Sequence, residues 1–167
     1  RFAVGEFWEN GQGEREGGGP PYAALRAVLQ ADRVAIRRPP ELCRRRVRLG
    51  VASLQVLWPC LPAGYDAGLS TNDNSLVIRV EAAGSRLLMT GDIEEDAETA
   101  LVALRPIDLE ADVLKVAHHG SRTSSSEAFL RAVGARWAVI SCGPNNRFGH
   151  PHAEALARLG ASGARIE

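Results

Sequence analysis

The sequence predicts an α/β layered domain. From about residue 72 onward, segments with the two-residue alternation of strands are followed in turn by segments with the apolar spacing of helices. Residues 112–117 have the character of a buried strand. The chain has 167 residues, of which 45% are hydrophobic and 24% charged, which suits one globular domain with a real core.

The first third of the chain is predicted to contain a strand, a loop and a helix, followed by a β-rich stretch. Residues 4–8 favour a short strand, and the Gly- and Pro-rich segment 11–21 favours a flexible loop that neither helix nor sheet tolerates. A helix with a Pro-marked start follows, and strands are predicted at 47–49 and 54–58. The apolar stripe of that helix comprises Tyr22, Leu25, Val28 and Leu29.

The remaining chain is predicted to alternate regularly between strands and helices. Acidic residues at 94–96 complement the positive end of a helix dipole, and a serine caps the helix after it. No repeat or linker divides the chain, so we expect a single domain over 1–167. The predicted strands are 75–81, 86–90, 112–117 and 137–141, and the predicted helices are 94–104, 124–133 and 152–159.

Composition excludes some classes of protein. The 20 Lys and Arg residues balance the 20 Asp and Glu residues, so no global field recruits nucleic acid or an anionic membrane, and basic surface is local, as at 44–48. That arginine segment could grip phosphates or could be a solvated strand edge. No apolar run approaches the roughly 20 residues that span a bilayer, so we expect this chain to be soluble.

The ends and cysteines of the chain bear on its compartment. The chain begins at Arg1 without a Met, so we expect it to be cut from a longer polypeptide whose targeting information lies upstream. Its three cysteines lack zinc-finger spacing. A disulfide between Cys43 and Cys60 is possible if the protein is exported.

All four histidines lie in the last third of the chain, and each pair follows a predicted strand. Functional groups in α/β sheets gather at the carboxyl ends of strands, where loops vary while the sheet holds them rigidly. A lone histidine is more often a surface or core residue, but the clustering indicates a site. The histidines are His118, His119, His150 and His152.

Asp92 follows a predicted strand through Gly91, which permits a tight turn. As a metal ligand, its carboxylate could bridge two divalent cations while imidazoles fill other positions. As an N-cap, it would begin the following helix. Both interpretations can hold together.

Residues 114–121 deliver two imidazoles from the end of a strand. Because neighbouring strand residues face opposite sides, one of His118 and His119 would face a metal unless the strand has already ended, and His119 is preferred as the ligand. Lys115 could act in catalysis on a phosphate or form a simple salt bridge. Ser121 completes this segment as a candidate substrate-binding residue.

Two polar loops supply the other candidates. Residues 145–152 carry amides, a guanidinium and two imidazoles, and His150 and His152 could protonate a leaving oxygen while Asn146 and Arg147 stabilise an anionic transition state. Alternatively, Pro151 begins a helix with His150 as its cap. The second loop is either a turn or part of the substrate site, and its residues are Asn72, Asp73 and Asn74.

Four segments in register carry a family resemblance. N-D-N-S-L-V-I-R-V, L-L-M-T-G-D-I, D-V-L-K-V-A-H-H-G-S-R-T-S-S and N-R-F-G-H-P-H resemble successive motifs of the ComEC-type metallo-β-lactamase-fold domain, over about residues 72–159. The resemblance implies an αββα sandwich with two Zn or Mn ions that hydrolyses phosphodiesters, in a protein carrying transforming DNA through the bacterial membrane. By position, Asp92 corresponds to the bridging carboxylate and the H-H-G-S pair to a late His ligand.

One motif of the family is missing. Its H-x-H-x-D-H segment, which supplies most metal ligands, would lie upstream of Arg1, so the chain is expected to be an incomplete domain that binds metal weakly or not at all and hydrolyses nothing alone. The complete domain is expected to be a nuclease acting on single-stranded DNA, extracytoplasmic and joined to a membrane channel region of the same polypeptide. Alternatives are a metallohydrolase of a small phosphoester, thioester or lactam and a non-catalytic DNA-guiding module.

Overall fold

A seven-stranded sheet forms the centre of the computed structural model, which describes residues 3–15, 18–105 and 107–167. The strands are β3 (Arg46–Leu49), β4 (Ala52–Trp58), β5 (Val77–Ala82), β6 (Ser85–Met89), β7 (Val113–Lys115), β8 (Trp137–Val139) and β9 (Arg165–Ile166), and they neighbour one another in that order. Pairing is antiparallel from β3 to β6 and parallel from β6 to β9. The expected mixed α/β class is confirmed.

Helices form the crossovers between the parallel strands, as parallel pairing requires. Ser126 caps the second of these helices by accepting a hydrogen bond from the Phe129 amide, and left-handed Gly134 ends it. The crossover helices are α3 (Glu95–Leu104), α4 (Glu127–Val133) and α5 (Ala153–Ala161).

The two faces of the sheet differ in burial. Leu88, Leu114 and Ala138 lie side by side on β6, β7 and β8, and all three are buried in one apolar core with side chains of α3, α4 and α5. Successive strand residues point to opposite faces. The neighbours Met89 and Val139 therefore lie on the other face, where both are exposed. Among the described residues, helices thus cover one face at β6, β7 and β8, and the opposite face is open at these strands. Towards β4 that face is covered, since Val56, which lies in register with Ile78 and Met89, is buried.

A smaller unit precedes the sheet. It contains β1 (Glu6–Trp8), α1 (Gln12–Arg15), α2 (Gly19–Ala31) and β2 (Ala35–Arg37), with β1 and β2 paired in parallel. Cys43 and Cys60 form a disulfide with their Cα atoms 5.8 Å apart, which joins the turn before β3 to the segment after β4. No helix of the described residues is long and apolar enough to cross a membrane.

The predicted elements are present with shifted ends, but the predicted loop over 11–21 is wrong in part. Gln12–Arg15 is helical, and α2 begins at Gly19 because prolines fit the first turn of a helix, where no intrahelical N–H bond is lost. Residues 16 and 17 lie outside the described residues. The stripe on α2 is also less buried than predicted, since Leu29 is buried whereas Leu25 and Val28 are exposed.

Candidate functional site

The parallel strands bring the predicted site residues to one edge of the sheet. Asp92 follows β6, His118 and His119 follow β7, and His150 and His152 follow β8. Because β6, β7 and β8 are parallel neighbours, their carboxyl ends lie at the same edge. The His118 and His119 ring centroids lie 5.5 and 6.3 Å from that of His150, and the His150 and His152 centroids lie 4.8 Å apart.

Two glycines allow these loops to pack closely. A Cβ on left-handed Gly91 would lie 2.7 Å from Ser75 Cβ, and the Gly91 carbonyl accepts a hydrogen bond of 3.1 Å from the His118 amide. A Cβ on Gly120 would lie 2.7 Å from Pro151 Cβ, and the Gly120 carbonyl accepts from the His152 amide at 2.9 Å. Each glycine thus joins the loop of one strand to that of another.

Strand alternation does not separate the two adjacent histidines. β7 ends at Lys115, and His118 and His119 both have left-handed backbone, with φ of 47° and 56°. Both rings therefore lie in one histidine cluster with His150 and His152. This is the case that the sequence left open, in which the strand ends before the two histidines.

His119 has the arrangement expected of a metal ligand. Its Nδ1 lies 2.5 Å from the Ser141 carbonyl oxygen, which can only accept, so Nδ1 carries the proton. In the neutral ring Nε2 then has the free lone pair, and this atom lies 3.6 Å from Asp92 Oδ1. The Asp92 amide donates to Ser75 Oγ, and Asp92 does not cap α3, whose N-cap position is Glu94.

His118 lies beside a carboxylate that sequence reasoning missed. Its Nδ1 is buried and makes no hydrogen bond within the described residues, although Glu94 Oε1 is 3.3 Å away. The same Glu94 oxygen accepts a hydrogen bond of 2.6 Å from Thr123 Oγ1. The sequence did contain a signal, because Glu94 follows Asp92 by two residues in the same turn, but its charge was attributed to the helix dipole.

His150 and His152 differ in their surroundings. Burial, and then the neighbouring imidazoles of His152, His118 and His119, lower the pKa of His150, which Asp92 partly opposes. His152 Nδ1 accepts the Arg122 amide at 3.1 Å, which places the proton of the neutral ring on Nε2. α5 begins at Ala153 with His152 at the N-cap position, so the alternative of His150 as the cap is wrong.

Lys115 lies near the cluster but its ammonium group is engaged. Nζ donates to the Val116 carbonyl at 2.8 Å, and the side chain is half-buried. Burial lowers the pKa of Lys115, and the Asp92 carboxylate opposes this. A catalytic role for Lys115 stays a prediction.

Hydrogen bonds through Thr123 and Glu94 link two of the other candidate substrate residues, Ser121 and Asp73. Ser121 is buried and bonded to Thr123 Oγ1, and Asp73 and Asn74 are buried below the loops. Asn72 is half-buried, and its carbonyl accepts from the Ser75 amide. Their substrate roles stay predictions.

Asn146 and Arg147 lie in the loop after β8, next to the histidines. Asn146 is half-buried and bonds within the loop, whereas Arg147 is exposed with its guanidinium 4.9 Å from the Phe148 ring centroid. Sequence reasoning assigned no role to Phe148, the second such residue after Glu94. The available signal was an aromatic side chain in a polar loop.

The donor types of the cluster suit Zn or Mn. Imidazoles and carboxylates bind both metals, and a buried imidazole nitrogen without a hydrogen bond, as in His118, is consistent with a ligand. The geometry is incomplete, however. Across residues 3–15, 18–105 and 107–167, no three His, Cys, Asp or Glu side chains are placed to hold an ion.

The fold and site define a mixed α/β protein with carboxylates and imidazoles gathered where three parallel strands end. The chain is 40% identical over 97 residues to ComE operon protein 3 of Bacillus subtilis, covering 58% of this chain and 12% of that protein. It is 41% identical over 98 residues to competence protein ComA of Neisseria gonorrhoeae, covering 59% and 14%. It is also 40% identical over 88 residues to recombination protein 2 of Haemophilus influenzae, covering 53% and 11%.

Over a little more than half of its length the chain is therefore similar to proteins of bacterial competence and recombination. No protein-family model matches it. The matched region spans about an eighth of the length of these relatives.

Proposed function

We propose that this chain is part of a metal-dependent nuclease that acts on single-stranded DNA during competence-related uptake across the bacterial membrane. The observation that carries the proposal is the meeting of Asp92 with four imidazoles at one sheet edge, in a chain similar to competence proteins. The named relatives support a role in DNA uptake. The nuclease chemistry is proposed from the carboxylate and imidazoles at the sheet edge.

The residues of this chain have separate roles in the proposed reaction. Asp92 and His119 are ligands, and the Ser141 carbonyl holds the His119 ring with Nε2 toward Asp92. Bound metals would supply an activated water and offset charge on the scissile phosphate. His150, neutral at pH 7 because its pKa is lowered, can accept a proton. His152 presents an Nε2–H donor for a phosphate oxygen.

A second half of the domain is proposed to complete the site. The H-x-H-x-D-H segment would precede this chain, and the second sheet of a metallo-β-lactamase sandwich would pack on the open face that exposes Met89 and Val139. Val139→Glu should then lower the Tm of the complete domain and leave that of this chain nearly unchanged. Equal effects in both would contradict a second sheet at this face.

Metal binding by the chain alone is expected to be weak or absent, and two ions are expected in the complete domain. Asp92 and His119 make a pair, whereas a stable zinc site uses three or four protein ligands. Calorimetric titration of the chain with Zn or Mn tests this expectation, because tight stoichiometric binding would contradict it.

The disulfide supports an extracytoplasmic position for the domain. Disulfides persist in oxidising compartments and are rare in the bacterial cytosol, so the Cys43–Cys60 bridge favours the outer side of the inner membrane. The membrane channel is proposed to be another region of the same polypeptide. Labelling of Cys142, the free cysteine, with a membrane-impermeant maleimide in intact cells tests whether the domain lies on the outer side of the inner membrane.

Asp92→Ala in the complete polypeptide tests the nuclease. Loss of the carboxylate should reduce metal-dependent cleavage of single-stranded DNA by more than about 100-fold, because even groups behind a ligand matter 10- to 100-fold. Asp96→Ala, an exposed carboxylate in the first turn of α3, is the matched control and should cleave normally. Absence of cleavage by the intact, metal-loaded protein, or full activity of Asp92→Ala, would refute the proposal.

The ion pairs of the arginine segment argue against the DNA-guiding alternative. Arg45 pairs with Glu6 at 3.3 Å and Arg46 with Glu81 at 2.9 Å, which reduces the positive charge available to phosphates. Moreover, β3 is the edge strand, three strands away from β6. Binding that ignores chelator and falls steeply with salt would restore this alternative.

A further inference from the structure

An exposed aromatic ring lies beside the histidine cluster. Phe148 is 61% exposed. Its ring is nearly parallel to that of His150, at 22° with centroids 5.8 Å apart, and His150 is nearly parallel to His119, at 20° and 6.3 Å. The three rings form a row that begins at the candidate metal ligand His119.

The loop holds Phe148 in place. The Asn146 amide uses both ends inside the loop: Nδ2 donates to the Gly143 and His150 carbonyls at 2.9 and 2.7 Å, and Oδ1 accepts from the Phe148 and His150 amides at 3.2 and 2.9 Å. A side chain whose backbone is held before binding loses less conformational entropy when it binds. Asn146 is therefore a positioning residue for Phe148.

A cavity lies next to this row of rings. It has a volume of about 340 Å³ and is lined by His119, Phe148, His150 and Asn146 together with residues 141–143. This volume is at the lower end of the range for small-ligand sites. Arg147 does not line the cavity, although its guanidinium lies 4.9 Å from the Phe148 ring centroid. Phe148 thus lines the cavity and also lies beside the Arg147 guanidinium.

A flat, aromatic group fits this arrangement. Unpaired nucleobases stack on aromatic side chains, and a neighbouring cation contacts the sugar–phosphate backbone that connects them. Within the described residues Arg147 forms no ion pair, so its charge is available in a chain of zero net charge. Paired bases in a duplex are already stacked on their neighbours, so their faces are not free.

We propose that Phe148 is a stacking platform for an unpaired nucleobase next to the scissile phosphate, with Arg147 contacting the strand's backbone. The platform rests on the proposed function for its nucleic-acid substrate. It selects single-stranded over double-stranded DNA at the same site. Neither residue needs to contact a metal for this role.

The first experiment measures binding in the presence of chelator, so that hydrolysis plays no part. Fluorescence anisotropy compares the binding by this chain of a thymidine oligonucleotide, an abasic strand of equal length and a duplex. The wild type should prefer the thymidine strand, and Phe148→Ala should weaken that binding roughly 5- to 150-fold toward the abasic level. Phe148→Trp should retain it. Arg147→Ala should weaken both single strands alike and reduce the salt dependence.

A matched control is present in the chain. Trp137 is also exposed, at 37%, with the Arg165 guanidinium 4.6 Å from its ring centroid, but it lies at the start of β8, away from the loop that follows the strand. Trp137→Ala should leave binding unchanged. Equal binding of thymidine and abasic strands, no binding of either, or equal losses in Phe148→Ala and Trp137→Ala would overturn the platform.

A second experiment needs no variant. Cys142 is an exposed free cysteine that lines the same cavity, so its modification by a thiol reagent reports occupancy. The thymidine strand should slow modification of the wild-type chain, whereas the abasic strand should not. Equal rates with both strands would contradict the platform. The cleavage test on Asp92 has a separate outcome. Failure of the platform leaves the nuclease proposal standing, whereas failure of the nuclease proposal would leave base stacking on Phe148 without a scissile phosphate beside it.

Discussion

Two polar loops with similar sequences behave differently in the fold. Residues 72–75 and residues 145–152 both begin with asparagines and both looked like substrate loops. In the first, Asp73 is 3% and Asn74 0% exposed, and their side chains bind backbone groups of other segments. In the second, the side-chain amide of half-buried Asn146 holds the loop, while Arg147 and Phe148 remain exposed. Polarity alone therefore does not separate a structural loop from a binding loop.

Asn74→Ala should give the largest effect and should act on stability. Asn74 accepts the Asp66 amide at 2.7 Å and donates to the Asp66 and Ser70 carbonyls at 2.8 and 3.0 Å, all in a buried position. Leaving such groups without partners should lower the free energy of unfolding by about 3 kcal/mol. Urea denaturation measures it. Exposed Asn145→Ala is the matched control, and a loss equal to that control would break the comparison.

Asn146→Ala should have a smaller effect on stability and a larger one on binding. Its partners lie in its own loop, which reaches solvent, so the free energy of unfolding should fall by about 1 kcal/mol or less. Release of Phe148 should weaken binding of a thymidine oligonucleotide while binding of an abasic strand is retained. Denaturation and anisotropy on one preparation separate these effects. A stability loss as large as that of Asn74→Ala would make both loops structural.

The smallest effect concerns Glu98, a buried carboxyl that orders the segment after the adjacent histidines. It accepts the Ser125 and Ser126 amides at 2.5 and 2.7 Å, with Arg158 nearby, yet burial raises its pKa above the ordinary 4.5. Between pH 4.5 and the folded pKa, the folded state holds a proton that the unfolded state has lost. The stability that this proton contributes is therefore complete below pH 4.5 and declines as pH rises through the folded pKa.

Comparison of wild type with Glu98→Gln isolates that contribution, because glutamine does not titrate. The stability advantage of the wild type should decrease as pH rises from 4.5 through the folded pKa in urea denaturation. An advantage that grows with pH would show that the two amide donors outweigh burial. The Glu98 pKa would then lie below its ordinary value.

The sequence predicted the alternating elements from β5 onward and the donor residues after each strand, because periodicity and turn residues are local signals. It missed β2, whose partner β1 lies about 30 residues earlier, and β9, which has two residues. It also attributed Glu94 to a helix dipole, since its distance to His118 depends on the parallel pairing of β6 with β7. Pairing between distant segments leaves no periodic signal.

The sequence by itself determined which chemical groups follow which strands: a carboxylate after β6 and imidazoles after β7 and β8. The tertiary structure decided how those groups are used. At the start of α3 it set Asp73 Oδ1 to accept the Glu94 and Ala97 amides, at 2.8 and 3.2 Å, and it placed Asp92 beside His119 instead. It also set both His118 and His119 in left-handed backbone. Burial and hydrogen-bond partners depend on residues distant in the chain, and therefore only the folded molecule fixes them.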